Sequence, residues 1–191
     1  MNQRYTGTDS ELIVAIDVGS TKVCTILARK SRNGFPEVIS YSVVPSSGVA
    51  KGNVVDVNVT SQAIRRTVGE ISADVGMDVK SAYVGITGSH IAYENRVDHF
   101  PDIGRQGVVT LDEFAKIPSM VSDGLQIPGR KIIHSLPIHY GVDGHDGIKN
   151  PVGMHVTGLE VTTHLITSDS YFADKLREAV LLSGIELKSL V

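Results

Sequence analysis

Most of the chain alternates apolar and polar positions with a two-residue period, interrupted by three stretches of helical period. Leu12 to Ile16 form a continuous apolar run, which predicts a strand buried on both faces. After a short turn Val23, Thr25 and Leu27 alternate with smaller or polar neighbours, so Glu11 to Arg29 predicts a β-hairpin. A polar turn, Ser31 to Gly34, leads through Phe35-Pro36 into a third strand, Glu37 to Val44. Asn58 is placed to cap a helix over 59–75, in which Ile64, Val68, Ile71 and Val75 make one buried stripe and Gly76 ends the last turn.

Val79 to Thr87 predicts another strand. Gly88 to Gly107 is polar and broken by Pro101, predicting a strand extension followed by an exposed loop. Thr110-Leu-Asp-Glu113 is a capping box opening a short helix. Pro118 should kink that helix or stop it early, since an interior proline costs about 3 kcal/mol. Lys131 to Val142 alternates with Leu136, Ile138, Tyr140 and Val142 on one face, and Val156 to Thr167 with Leu159, Val161, Thr163 and Leu165 inward. The two predict antiparallel strands joined by a glycine-rich excursion, Gly141 to Gly153, and Pro137 inside the first argues for an edge or a bulge. Ser168 and Asp169 offer caps for a last helix with Phe172, Leu176, Ala179 or Val180 and Ser183 on its apolar face. Gly184 ends it, and Ile185 to Val191 restarts as a strand.

Composition narrows the class. With 191 residues, 41% hydrophobic and 20% charged, the chain suits one large or two small globular domains. A net charge of −3 without a run of Lys and Arg gives no attraction to nucleic acid or to anionic lipid. Cys24 is alone, so no intrachain disulfide forms, and a reducing cytoplasm is the simplest setting. No stretch approaches the roughly 20 apolar residues of a spanning helix, and the first ten residues, a polar lead-in, lack the apolar centre of a signal peptide.

The turn of the first hairpin carries the candidate chemistry. Gly19 can take positive φ and approach a ligand closely, the N–H groups and hydroxyls of Ser20 and Thr21 can face phosphate oxygens, and Lys22 adds a point charge. Asp17 suits a water-mediated contact to Mg²⁺. Elsewhere His134 and His139, five residues apart, should lie on opposite faces of their strand and hold no metal together. Asp143-Gly144-His145-Asp146-Gly147 lacks the ligand ladder of an EF-hand and reads as a turn. There is no Walker-type phosphate loop, and no nucleophile with a readable base, so no catalytic residue is assigned.

Four stretches together resemble the first half of the bacterial cell-division family FtsA, an actin-like ATP-binding family. They are AIDVGSTKV (15–23), GVAKGNVVDVNVTSQAIRRTV (48–68), AYVGITGSHI (82–91) and IIHSLPIHYGVDGHDGIKNPVGMHVTGLEVTTHLIT (132–167), in the family's order. Arg96 to Pro118 departs from the pattern, with a longer Phe100–Gly107 segment and Pro118 where the family has a tight turn and an unbroken helix. The resemblance implies an α/β chain with an actin-like (ribonuclease H-like) subdomain over 1–80 and 162–191, and an inserted small α+β subdomain over 81–161. It implies a phosphate hairpin at Asp17, Gly19, Ser20, Thr21 and Lys22 forming one lip of an ATP and Mg site.

The family's second half supplies the opposing lip, the surface that docks FtsZ and a C-terminal amphipathic membrane helix. This chain alone is therefore expected not to be an enzyme, although the family is weakly ATP-hydrolysing. The expected role is a cell-division scaffold and membrane tether, cytoplasmic at the inner face of the division site. It would meet other divisome proteins and like protomers through the insert, with no nucleic-acid partner and no membrane insertion of its own. The face around the last helix and Leu187–Val191 is expected to leave apolar surface open. The alternatives are an actin-like pilus-assembly protein, or a chaperone ATPase or sugar kinase of the same superfamily.

Overall fold

The computed structural model describes residues 12–30, 35–104 and 107–191. The polar lead-in and the turn over 31–34 lie outside the described residues. Two compact units emerge, Met1–His90 with Ser170–Val191, and Ile91–Asp169.

The first unit opens with an antiparallel meander of β1 (Leu12–Val18), β2 (Lys22–Lys30) and β3 (Pro36–Pro45). A short ribbon of β4 (Val49–Ala50) and β5 (Asn53–Val54) leads into α1 (Val57–Val75). Then come β6 (Ser81–Gly85) and, after the second unit, α3 (Ser170–Leu182) and β11 (Glu186–Leu190). The sheet order is β11-β6-β1-β2-β3, with β6 parallel to both β1 and β11.

One face of this sheet is closed. Val14, Ile16, Val23, Leu27, Ala82 and Val84 are buried there, with Ile64, Val68 and Ile71 of α1 and Leu176, Ala179 and Val180 of α3. The helix starts two residues earlier than the pattern suggests, because Asp56 and not Asn58 is the cap: its carboxylate accepts the Val59 N–H at 2.9 Å. Gly76 ends it in the left-handed region, φ 70°. A polar seam runs through the contact. Thr67 donates to the Ile64 carbonyl and so accepts from Thr25 at 2.7 Å, while Ser40 and Ser42 donate to Asp74 and Glu70, each at 2.6 Å. The hydroxyls in this half of the sheet are thus satisfied by the helix that covers them.

The other face is open, which overturns the expectation that β1 is buried on both sides. Ile13, Ala15 and Asp17 are exposed, and Ile26, Tyr41, Val43 and Tyr83 continue the open surface across neighbouring strands. The apolar run encoded hydrophobicity on both sides, and the described elements cover only one. Leu181 and Leu182, at the end of α3, and Val191 are exposed as well.

The second unit contains β7 (Ile91–Phe100), α2 (Leu111–Asp123), β8 (Arg130–Val142), β9 (His145–Ile148) and β10 (Leu159–Asp169), in sheet order β7-β10-β8-β9. The division falls at 91 and 169, not at 81 and 161. Ser81–Gly85 stays with the first sheet through its pairing with β1, and β10 runs unbroken to Asp169. The polar stretch after Gly88 is a ten-residue strand paired along its full length with β10, because a strand with one solvated face needs few apolar residues. Ile103 and Val109, read from the pattern as part of a loop or its margin, are buried. The core gathers Ile103, Val109, Ile117, Val121, Tyr140, Val142, Leu159 and Val161.

The capping box forms as predicted: Glu113 N–H donates to Thr110 Oγ1 at 3.2 Å, and the Thr110 N–H returns to the Glu113 carboxylate at 2.8 Å. The early stop at Pro118 does not occur. The helix runs on to Asp123, held through the proline by Ile117 and Val121, which are both buried. Pro137 does mark a bulge. Pairing passes from Thr162↔His139 to Thr163↔Pro137, which leaves Ile138 as the extra residue. Side-chain parity therefore flips. Tyr140 and Val142 point inward as expected, but Leu136 and Ile138 are exposed, and Ser135 and Pro137 share the inner side with Thr163 and Leu165.

Candidate functional site

The candidate phosphate hairpin sits at the carboxyl end of β1. Its turn is short and tied on three sides. Gly19 N–H donates to the Lys22 carbonyl at 2.9 Å, Ser46 N–H to the Thr21 carbonyl at 3.0 Å, and Gly52 N–H to Ser20 Oγ at 3.0 Å. Gly19 is needed for a reason other than the one expected. Its φ is not positive; a Cβ there would stand 3.0 Å from the Lys22 carbonyl oxygen, tighter than nearly all real contacts. The turn beside it is left-handed at Lys51, φ 51°, and at Gly52, φ 79°, and a Cβ on Gly52 would meet the Thr87 carbonyl at 2.8 Å. The 52-turn is thereby pressed between the hairpin and the segment after β6. Sequence reading missed Gly52; its place inside GVAKGNVV, two glycines around a short extended run, was the available signal.

All five candidate residues lie together. Ser20, Thr21 and Lys22 are exposed, Gly19 is half-buried, and Asp17 is exposed on the open face with Gly85 of β6 as its neighbour in register. A Cβ on Gly85 would lie 3.8 Å from the Asp17 carboxylate. The parallel strands β1 and β6 end side by side here, and ligands of α/β sheets collect outside the carboxyl ends of such strands. The last strand closes the same end: Ile86 N–H donates to the Val191 carbonyl at 2.8 Å and Val191 N–H to the Val84 carbonyl at 2.9 Å. The arrangement offers exposed hydroxyls, a lysine and one carboxylate around a fixed turn. That donor set suits phosphate oxygens and a hydrated Mg²⁺. Three cavities, of about 510, 300 and 260 Å3, are not lined by the turn residues Asp17 to Lys22, although the second touches Leu12, Val14 and Leu27 at the far end of the hairpin strands.

The bulge corrects a second expectation. His134 pairs with Ile166 and His139 with Thr162, so both histidines share the outer face of the second sheet, with His164 between them in β10. His139 stands 3.2 Å from Asp146, and His164 bonds Asn95 at 2.7 Å. Among the described residues no group of three His, Cys, Asp or Glu side chains is arranged to hold a metal. In the 143–147 turn, Asp143 has φ 49° and accepts from the Thr157 hydroxyl at 2.6 Å and the Thr157 N–H at 3.0 Å, which holds its carboxyl below the ordinary range. It closes a loop. Among the described residues no helix is long and apolar enough to cross a membrane.

Residues 88–167 match the family described as the SHS2 domain inserted in FtsA. The chain is 27% identical to the cell division protein FtsA of Pseudomonas aeruginosa over 95% of its own length and 43% of that protein. It is 25% identical to FtsA of Escherichia coli K12 over 96% of its length and 43% of the relative, and 27% identical to FtsA of Streptococcus pneumoniae over 92% and 38%. It thus spans less than half the length of these relatives. Among solved structures, a chain of the PilM–PilN type IV pilus biogenesis complex superposes with TM-score 0.59 over 93% of this chain and 46% of that one. At 10% identity this likeness is one of fold. The Arg96–Pro118 departure lies inside the matched domain, and its helix is unbroken. The fold is α/β and actin-like with an inserted small α+β subdomain; the insert is similar to the SHS2 domain of FtsA, and the chain around it is similar to FtsA along nearly its whole length.

Proposed function

We propose that this chain works as an FtsA-like cell-division scaffold, in which the first unit supplies the phosphate lip of an ATP and Mg site and the second carries protein contacts. The observation that carries the reading is the FtsA likeness running through both the hairpin-bearing unit and the SHS2 insert. Asp17, through water, would hold Mg²⁺; Ser20, Thr21, Lys22 and the backbone at Gly19 would hold phosphate. The chain's own contribution is a turn fixed by two backbone bonds and by the Gly52 N–H on Ser20 Oγ, so the phosphate meets donors that need little reordering. A pilus-assembly role has only the shared fold behind it. Docking of FtsZ and attachment to the inner face of the membrane belong to the same reading at the level of a longer relative.

Two measurements test it. In calorimetry the chain alone should bind Mg-ATP no more tightly than about millimolar, about 4 kcal/mol, because the five hairpin residues reach phosphate and offer nothing to hold a base. Micromolar binding, or hydrolysis lost in Asp17→Ala, would show a complete cleft and overturn the one-lip assignment. For the scaffold role, capture of full-length E. coli FtsA should weaken when the exposed Asp143–Lys149 loop carries Asp146→Lys and Lys149→Glu. Unchanged capture by both folded variants would remove the loop from the contact.

A further inference from the structure

The ribbon beside the phosphate hairpin turns on two residues, Lys51 and Gly52, between the paired Ala50 and Asn53. Both have positive φ, 51° and 79°, as the two-residue turn that matches strand twist requires. Glycine suits the second place, and Asn, Asp or Gly is the usual residue in the first. Lysine is not, because its Cβ crowds the backbone in the left-handed region. The chain therefore keeps a cation at a position that costs free energy to hold, and strain of this kind gathers at ligand sites. Ser46 Oγ and Asn53 Oδ1, in the segments on either side of the turn, are buried without a hydrogen-bond partner. A strained residue and two unmatched atoms thus fall together where the ribbon meets the hairpin.

The turn acts on the hairpin through one bond, from Gly52 N–H to Ser20 Oγ at 3.0 Å. A hydroxyl that accepts there keeps its own hydrogen for another acceptor. Ser20 is exposed, so that hydrogen is offered outward. The same bond brings Lys51 close. Two backbone bonds separate Gly52 N from the Lys51 Cα, which therefore lies within about 6 Å of Ser20 Oγ. That is roughly the reach of a four-carbon stem with its ammonium. Lys51 and Lys22 are both exposed, and among the described residues neither forms an ion pair. Both charges are free to meet an anion held on Ser20.

We infer that Lys51 is a phosphate-binding residue and that the Lys51–Gly52 turn is the second wall of the hairpin site. Gly52 frees the Ser20 hydroxyl hydrogen for the anion, and the Lys51 and Lys22 ammonium groups share a run of linked phosphates. One ammonium balances most of the charge of a single orthophosphate, whereas two, with Mg²⁺ at Asp17, suit the larger charge of a polyphosphate. The strain at Lys51 then serves to place a cation and not to form the turn, which asparagine would form better. This rests on the ATP and Mg reading and deepens it, by adding a residue that the hairpin itself does not contain.

The test titrates the 191-residue chain with tripolyphosphate and equimolar Mg²⁺ at low salt, read by amide chemical shifts. The probe has no base, so the outcome does not depend on an adenosine pocket. Tripolyphosphate should shift residues 19–22 and 50–53 and bind at least about threefold more tightly than orthophosphate. Lys51→Asn should weaken it about threefold to fivefold, the scale of one exposed ion pair, while the melting temperature stays equal or rises, because asparagine tolerates the left-handed region. Lys51→Arg should keep the affinity. Lys80→Asn, an exposed lysine at the opposite end of the sheet, should change nothing. Unchanged affinity in Lys51→Asn, an equal loss in Lys80→Asn, or a melting temperature that falls with the affinity would overturn the inference. If Thr21→Ala and Lys22→Ala weaken binding and Lys51→Asn does not, Lys51 falls and the hairpin reading stands. Absence of any shift at 19–22 would remove both.

Discussion

The two sheets solve the same packing problem with different resources. The first has two helices, α1 and α3, on its closed face, and each buried hydroxyl that meets α1, on Thr25, Ser40 and Ser42, is matched by a helix side chain. The second has one short helix with a proline inside it, two bulges in β8, and two inward hydroxyls, Ser135 and Thr163, without partners. A polar seam is tolerated where the covering helix is polar in the same places. It becomes an unpaired cost where the cover runs out. Ser135 and Thr163 thus leave unmatched hydroxyls inside the sheet of the insert, the unit assigned to contacts, while in the hairpin-bearing unit the hydroxyls that meet α1 are matched and the unmatched atoms, Ser46 Oγ and Asn53 Oδ1, lie after β3 and in the short ribbon.

The largest test of this contrast removes equal side chains from the two cores. Ile64 and Ile117 are both fully buried, and truncation of either to Ala should cost about 2–5 kcal/mol. Because the units are separately compact, Ile117→Ala should speed amide exchange chiefly over 91–169 and Ile64→Ala chiefly outside it. Equal acceleration over the whole chain in both variants would show a single cooperative core.

A finer test makes one substitution in two places. Thr25→Val should cost about 1 kcal/mol, since Thr67 loses the hydrogen that Thr25 gives it. Thr163→Val keeps the shape, removes a hydroxyl that bonds to nothing, and should be neutral or stabilising in chemical denaturation. The reverse order would mean that Thr163 is satisfied in solution and that the contrast between the sheets is misplaced.

The smallest effect is one of pH. The Thr110 N–H, then its hydroxyl, then the Gly104 N–H hold the Glu113 carboxyl below its ordinary value. A depressed carboxylate contributes stability that is present above its unfolded-state value and is lost as pH falls through the folded one. The melting-temperature advantage of the wild-type chain over Glu113→Gln should therefore be constant near neutrality and shrink as pH falls through and below the ordinary carboxylate range. An advantage that grew in acid would have the wrong sign for this cap.

The order of strands and helices was legible in the chain, because each periodic segment states its own type: the three-strand meander, the α1 stripe of Ile64, Val68 and Ile71, the capping box and the inward set Leu159, Val161, Thr163 and Leu165 all appear where the pattern puts them. The five hairpin residues were legible as a group for the same local reason. What the pattern could not supply was anything that depends on a neighbour. Ile138 becomes the extra residue only because β10 opposes it, and that one displacement turns Leu136 outward and brings His134 and His139 to one face. Gly52 matters because Ser20 and Thr87 close on it from distant parts of the chain. Pro118 is carried through its helix by burial of Ile117 and Val121, a packing gain that outweighs a local cost. Periodicity fixes which way a residue points relative to its own element, and only pairing and packing decide what it meets there.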